Sequence, residues 1–171
     1  LTTVITYPGH SHPGWIVEYC AARKSFSVTL KLLLLAFARY RIWAMEPDNL
    51  RAWTINAMVT AAKKDAANNL RAFWADNRYW GAGMNNDQMT DALKRALFAA
   101  SKAGALDAVI FLAELSPSPV PPPQSIMNHA LTPASWTALM VAVSYGRHPV
   151  VDWIMNRAAE FGINYTEVTN I

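Results

Sequence analysis

The sequence predicts an all-α fold: about four helix-turn-helix units stacked into a repeat array, behind an extended N-terminal arm. Three observations carry this expectation. In residues 136–155, apolar side chains return at helical spacing on both sides of a tight turn at Gly146. Two short antiparallel helices leave apolar faces that only neighbours of their own kind can cover. The same outline, with a turn residue followed by a second apolar helix, recurs upstream. Its turns fall at Ser25, Asp65, Gly104 and Gly146, separated by 40, 39 and 42 residues. Finally, 171 residues with 53% hydrophobic and 16% charged composition suffice for a single folded domain with a sizeable core.

Residues 1–13 form the arm. The first seven alternate weakly and are rich in Thr and Val, as in an edge strand, and Pro8, Gly9, Pro13 and Gly14 then break regular structure. The first unit, 14–46, has helices at 15–23 and 26–40 around a turn near Lys24 and Ser25. The window 26–45 has roughly the length of a membrane span, but Lys31, Arg39 and Arg41 interrupt it, which suits a buried repeat helix. In the second unit, 47–86, Pro47, Asp48 and Asn49 start a helix. Trp53 and Thr54 parallel Trp136 and Thr137, Ala61 and Ala62 form an Ala pair, and Asp65 takes the turn before a helix at 67–74. An amide-rich and Gly-rich loop follows at 77–86.

The third unit, 87–123, has its N-cap region at Thr90 and Asp91, turns at Gly104 and continues with a helix at 105–115 on Val109, Ile110 and Leu112. Residues 116–123 hold five prolines and favour polyproline geometry. They read as a stiff connector, or as a ligand for a proline-recognising groove through Pro119 and Pro122. The fourth unit, 124–171, opens its first helix at Trp136.

Within that last unit, Thr137-Ala138-Leu139-Met140, Ala142-Val143, Gly146 and Val150-Val151 resemble the ankyrin repeat, whose pattern runs Thr-Pro-Leu-His, Ala-Ala, Gly and Val-Val. Ala138 and Met140 replace the family's Pro and His, which weakens its hydrogen-bonded cap. Residues 101–106 are the second-best match. The turn separations lie nearer the period of HEAT or armadillo repeats, about 40 to 47, than the ankyrin period of about 33. Lengthened loops, which add little closure entropy, reconcile the spacing with the ankyrin motif; another helical-repeat solenoid is the alternative. The resemblance implies a non-enzymatic protein-interaction module or adaptor, presenting loop tips and the first-helix face as a concave surface.

The protein-binding candidates are Trp53, Arg78, Tyr79, Trp80 and Trp136. Trp15, Trp53 and Trp136 stand near the starts of first helices, a pattern suited to packing at unit junctions. Trp74, Tyr79 and Trp80 cluster with Arg71 and Arg78 around the loop, where they form a contact hot spot or a cover for the core. His10 and His12 form a His-x-His pair of the kind metal sites use, and no spacing assembles His129, His148, Cys20 or a carboxylate around them. A metal-dependent hydrolase on this pair is therefore the last of the alternatives. Because there is no Gly-rich phosphate loop, nucleophile elbow or His-Glu-x-x-His motif, neither enzyme activity nor a cofactor is expected.

The net charge of +3 reads as too diffuse to argue for nucleic acid, and no membrane span is expected. Cys20, the only cysteine, reads as a buried apolar residue and allows a cytoplasmic or nuclear setting. The first residue is Leu, which reads as a fragment, a processed product or an incomplete N-terminus. Asn164-Tyr165-Thr166 fits the N-glycosylation pattern, which matters only in a secreted chain. A structural subunit of a larger assembly and a secreted effector-type protein are the other functional alternatives.

Overall fold

The computed structural model describes residues 14–26, 28, 32, 47–75, 85–115, 126–128 and 130–163. These residues contain α1 (Gly14–Ala21), α2 (Pro47–Lys63), α3 (Ala67–Ala75), α4 (Asn86–Ala103), α5 (Leu106–Glu114), a 3-10 turn (Ile126–Asn128), α6 (Ala138–Ser144), α7 (His148–Asn156) and α8 (Ala158–Phe161), with no strand among them. The architecture is the expected all-helical repeat array. First helices α1, α2, α4 and α6 pack in succession as one row, second helices α3, α5 and α7 as another, and each second helix folds back on its partner. The arm at 1–13 and the Pro-rich segment lie outside the described residues, as does the loop at 77–86 apart from Asn85 and Asn86. Of the expected helix at 26–40 only Phe26, Val28 and Leu32 are described; Val28 and Leu32 are helical.

Asp65, Gly104 and Gly146 define a common register for the three complete helix pairs. At the position eight residues before each turn stand Ala57, Ala96 and Ala138, and four before stand Ala61, Ala100 and Ala142; all six are fully buried. These small side chains let the backbones of neighbouring first helices approach closely. Larger residues fill the space between the rows: Met58, Leu97 and Leu139 from the first helices, Phe73, Leu112 and Ile154 from the second. Burying such a side chain contributes roughly 1.5–3 kcal/mol, so the repeated register concentrates stability at the unit junctions.

The three turns close identically. Asp65, Gly104 and Gly146 adopt left-handed backbone conformations with φ of 56°, 77° and 63°. The following residue donates five positions back, from Ala66 to Ala61 at 2.9 Å, Ala105 to Ala100 at 3.0 Å and Arg147 to Ala142 at 2.8 Å. This closure satisfies carbonyls that a helix end otherwise leaves unpaired. Aspartate tolerates the left-handed region better than most residues, and here its side chain adds what glycine lacks. Asp65 Oδ1 accepts the Ala108 amide at 3.0 Å, capping α5, whose own N-cap, Ala105, has no side-chain hydrogen bond. Its other oxygen pairs with Lys24 Nζ at 3.2 Å.

The turn at 22–25 relies on its neighbour. Asn69, fully buried at the start of α3, donates from Nδ2 to the carbonyls of Ala21 at 2.8 Å, Arg23 at 2.9 Å and Cys20 at 3.3 Å. Two amide hydrogens thus serve three carbonyls at the end of α1. At the other end of the array, Arg147 Nε donates to the Lys102 carbonyl at 2.8 Å. Successive turns are hydrogen-bonded to one another from residue 20 to residue 147.

Three expectations need correction. Helix α4 starts at Asn86, ahead of Thr90 and Asp91, because Asn85 and Gln88 form a reciprocal capping box with bonds of 2.9 and 3.0 Å. Thr54 and Thr137 are not equivalent: Thr54 is a buried interior residue of the 17-residue α2, whereas Thr137 is the N-cap of the seven-residue α6. The cap survives the loss of the motif's Pro and His in a weak form, with Thr137 Oγ1 3.5 Å from the Met140 amide. The 3-10 turn and α8 were not anticipated; the Asn128 amide donates to the Phe161 carbonyl and joins them.

Replacing Asn69 with Ala strands buried carbonyls at the end of α1. The expected loss is roughly 2–4 kcal/mol by urea denaturation, against about 0.5 kcal/mol or less for Asn68→Ala on the exposed side of the same turn.

Candidate protein-binding groove

The side of α4 turned away from its Ala-rich packing face carries Arg95, Phe98, Ala99, Lys102 and Ala103, which recur at intervals of three and four. They form the centre of a groove of about 650 Å³. Val59, Lys63 and Lys64 flank it on the α2 side, Leu131 and Arg147 on the α6 side. The common register produces stripes: Val59 and Phe98 both precede their turn residue by six positions, Lys63 and Lys102 by two. Stacking therefore places apolar beside apolar and cation beside cation. Among the described residues that line the groove, none is acidic.

Each wall is held by the fold. Lys102 Nζ lies 5.9 Å from the Phe98 ring centre and 4.9 Å from that of Tyr145, so one ammonium bridges two aromatic faces. Arg147 is anchored through Nε on the Lys102 carbonyl, and Arg95 Nη2 donates to Asn56 Oδ1 at 3.1 Å. Leu131 is presented by a tight turn: its amide donates to the Trp136 carbonyl at 2.7 Å, Ser135 takes a left-handed φ of 61°, and the Trp136 amide donates to Thr132 Oγ1 at 3.2 Å. Cationic ends over an apolar floor suit non-covalent capture of a chain bearing both anionic and apolar groups.

The predicted site residues are dispersed. Trp136 is half-buried, and its backbone closes the turn that carries Leu131 to the groove. Trp53 is half-buried on α2, six residues before Val59, and is not a lining residue. Arg78, Tyr79 and Trp80 lie outside the described residues. The sequence reading missed the cations and Phe98. Aligning the chain on its turn residues, rather than on its tryptophans, would have exposed the matched Lys63 and Lys102.

His10, His12 and His129 also lie outside the described residues. His148 is exposed at the start of α7, and no group of three His, Cys, Asp or Glu among the described residues could hold a metal. Cys20 is buried as expected. Burial pushes its thiol above the ordinary value, partly opposed by the Arg23 guanidinium. No helix of the described residues is long and apolar enough to cross a membrane. A second cleft, of about 310 Å³, lies beside Lys24, Asp65, Arg71 and Asp107 and mixes both charges.

Residues 134–165 match a family model described as the ankyrin repeat. The match begins in the turn beside the groove and runs through α6, α7 and α8. No curated protein and no solved structure matches the chain.

Both turn glycines are strained as Ala, at about 1–2 kcal/mol. A Cβ on Gly104 would also meet Arg147 Cδ at 3.0 Å, whereas one on Gly146 meets nothing within 4 Å. Gly104→Ala is expected to cost more than Gly146→Ala in thermal denaturation, and the excess should vanish in an Arg147→Ala background. At mildly alkaline pH, Cys20 should react with a thiol-specific disulfide reagent orders of magnitude more slowly in the folded chain than in urea; equal rates would refute its burial.

Proposed function

From the ankyrin repeat at residues 134–165, we propose that this chain is a non-enzymatic protein-interaction module, an adaptor whose principal contact surface is the groove along its first helices. The observation that carries this reading is that the groove is assembled by α2, α4 and the segments flanking α6, so that no single helix pair holds it. A surface that exists only when units stack is what a repeat array can offer a partner. Division into four units, at 14–46, 47–86, 87–123 and 124–171 within one domain, accords with the three complete pairs and α1.

The loop bearing Arg78, Tyr79 and Trp80 is the second candidate surface of the same module, with Trp53 and Trp136 supporting the first-helix side. A structural subunit of a larger assembly is the alternative reading. It is favoured by Val28 and Leu32, one helical turn apart and 68% and 62% exposed.

Affinity capture from the native source tests the proposal, using the wild-type chain, a Lys64→Glu/Arg95→Glu variant and a Tyr79→Ala/Trp80→Ala variant of matched melting temperature. The wild type should retain a protein at moderate salt and the charge-reversed groove should lose it. Loss by the Tyr79/Trp80 variant would extend the surface to that loop. A folded wild-type chain that retains no protein would sink the reading.

A further inference from the structure

The net charge of this chain conceals where its charge lies. Of fifteen Lys and Arg, five line one groove, leaving ten to oppose twelve Asp and Glu over the rest of the chain. The groove is thus a positive site on an otherwise slightly acidic molecule. Such focusing selects a partner by the sign of its charge and speeds its arrival.

Resting on the interaction reading above, we infer that the groove receives an extended acidic segment of a partner protein, with carboxylates at every third residue and an apolar side chain on the floor between them. The spacing follows from the stack. Lys63 and Lys102 occupy equivalent positions on adjacent helices, and packed helix axes lie about 8–10 Å apart. Three residues of polyproline-type chain advance about 9 Å and return to the same side, which brings every third carboxylate opposite a cation. Val59 and Phe98 repeat at the same interval and form the apolar floor.

Single-stranded nucleic acid is disfavoured because its affinity draws on open aromatic faces. Here Lys102 lies over the rings of both Phe98 and Tyr145.

The test is fluorescence anisotropy with the full chain and a labelled peptide carrying Glu at every third position, Pro after each Glu and one central Phe. Binding should weaken with salt. It should fall roughly tenfold when Glu is replaced by Gln, the loss expected for two or three surface charge pairs. A scrambled peptide with consecutive Glu residues should also bind more weakly. Lys64→Glu/Arg95→Glu, which changes one turn residue and one exposed mid-helix residue, should lose the Glu peptide and gain its Lys counterpart; Arg71→Glu in the other cleft should change neither.

Equal binding of the Glu, Gln and scrambled peptides would overturn the inference, as would tighter binding of an oligothymidylate of equal charge. Failure of every peptide, while the wild type still captures a partner that the groove variant loses, overturns the acidic chemistry alone and leaves the interaction module standing. Failure of both experiments removes both.

Discussion

The hydrogen bonding of the inter-helix turns is the constraint on which the rest of this structure depends. A helix end leaves carbonyls that must be satisfied, and in a stack those ends are partly buried. Three turns solve this internally through a left-handed residue, and side chains at the Asp65 and Gly146 turns then tie neighbouring turns together. Asn69 reaches back to the end of α1, Asp65 accepts the first turn of α5, and Arg147 reaches back to the end of α4. Rotation of one helix pair against the next would break these bonds, so the turns set the angle at which the units stack.

That angle makes the groove. With Ala at both facing positions of α2, α4 and α6, the first helices sit close and in register. Residues two and six positions before each turn therefore line up across units. Lys63 and Lys102 become neighbours although 39 residues separate them. Mutual repulsion at an exposed site is small and screened, and it is offset when an anion arrives. Arg147 belongs to both arrangements: its Nε bonds the Lys102 carbonyl across a junction and its side chain lines the groove, so the residue that stabilises the array also shapes its binding face.

Much of the fold was legible in the chain because it is local. Helical periodicity, the left-handed turn residues and the Thr137-to-Val151 motif are written within a few residues of one another, and each element they indicated is present where described. Boundaries slipped where two signals competed. Thr90 and Asp91 look like a helix start, yet the Asn85 and Gln88 box captures the chain first because it satisfies two amides at once. The Trp-Thr pairs misled for a related reason: α2 is ten residues longer than α6, so equal dipeptides fall at unequal heights.

The candidate site was far less legible. A charge excess of three appears diffuse when read along the chain, since its cations lie scattered from Lys63 to Arg147. Aromatic residues drew attention instead, because an exposed tryptophan and a packed one look identical in a string of letters. Local sequence was enough to specify the helices, their turns and the family resemblance of the last unit, since short-range hydrogen bonds and a 3.6-residue period act between near neighbours. Only the tertiary structure could place five cations around one apolar floor, because that arrangement depends on the distance and angle between stacked helices, and those are settled by buried alanines and turn-to-turn bonds spanning some forty residues.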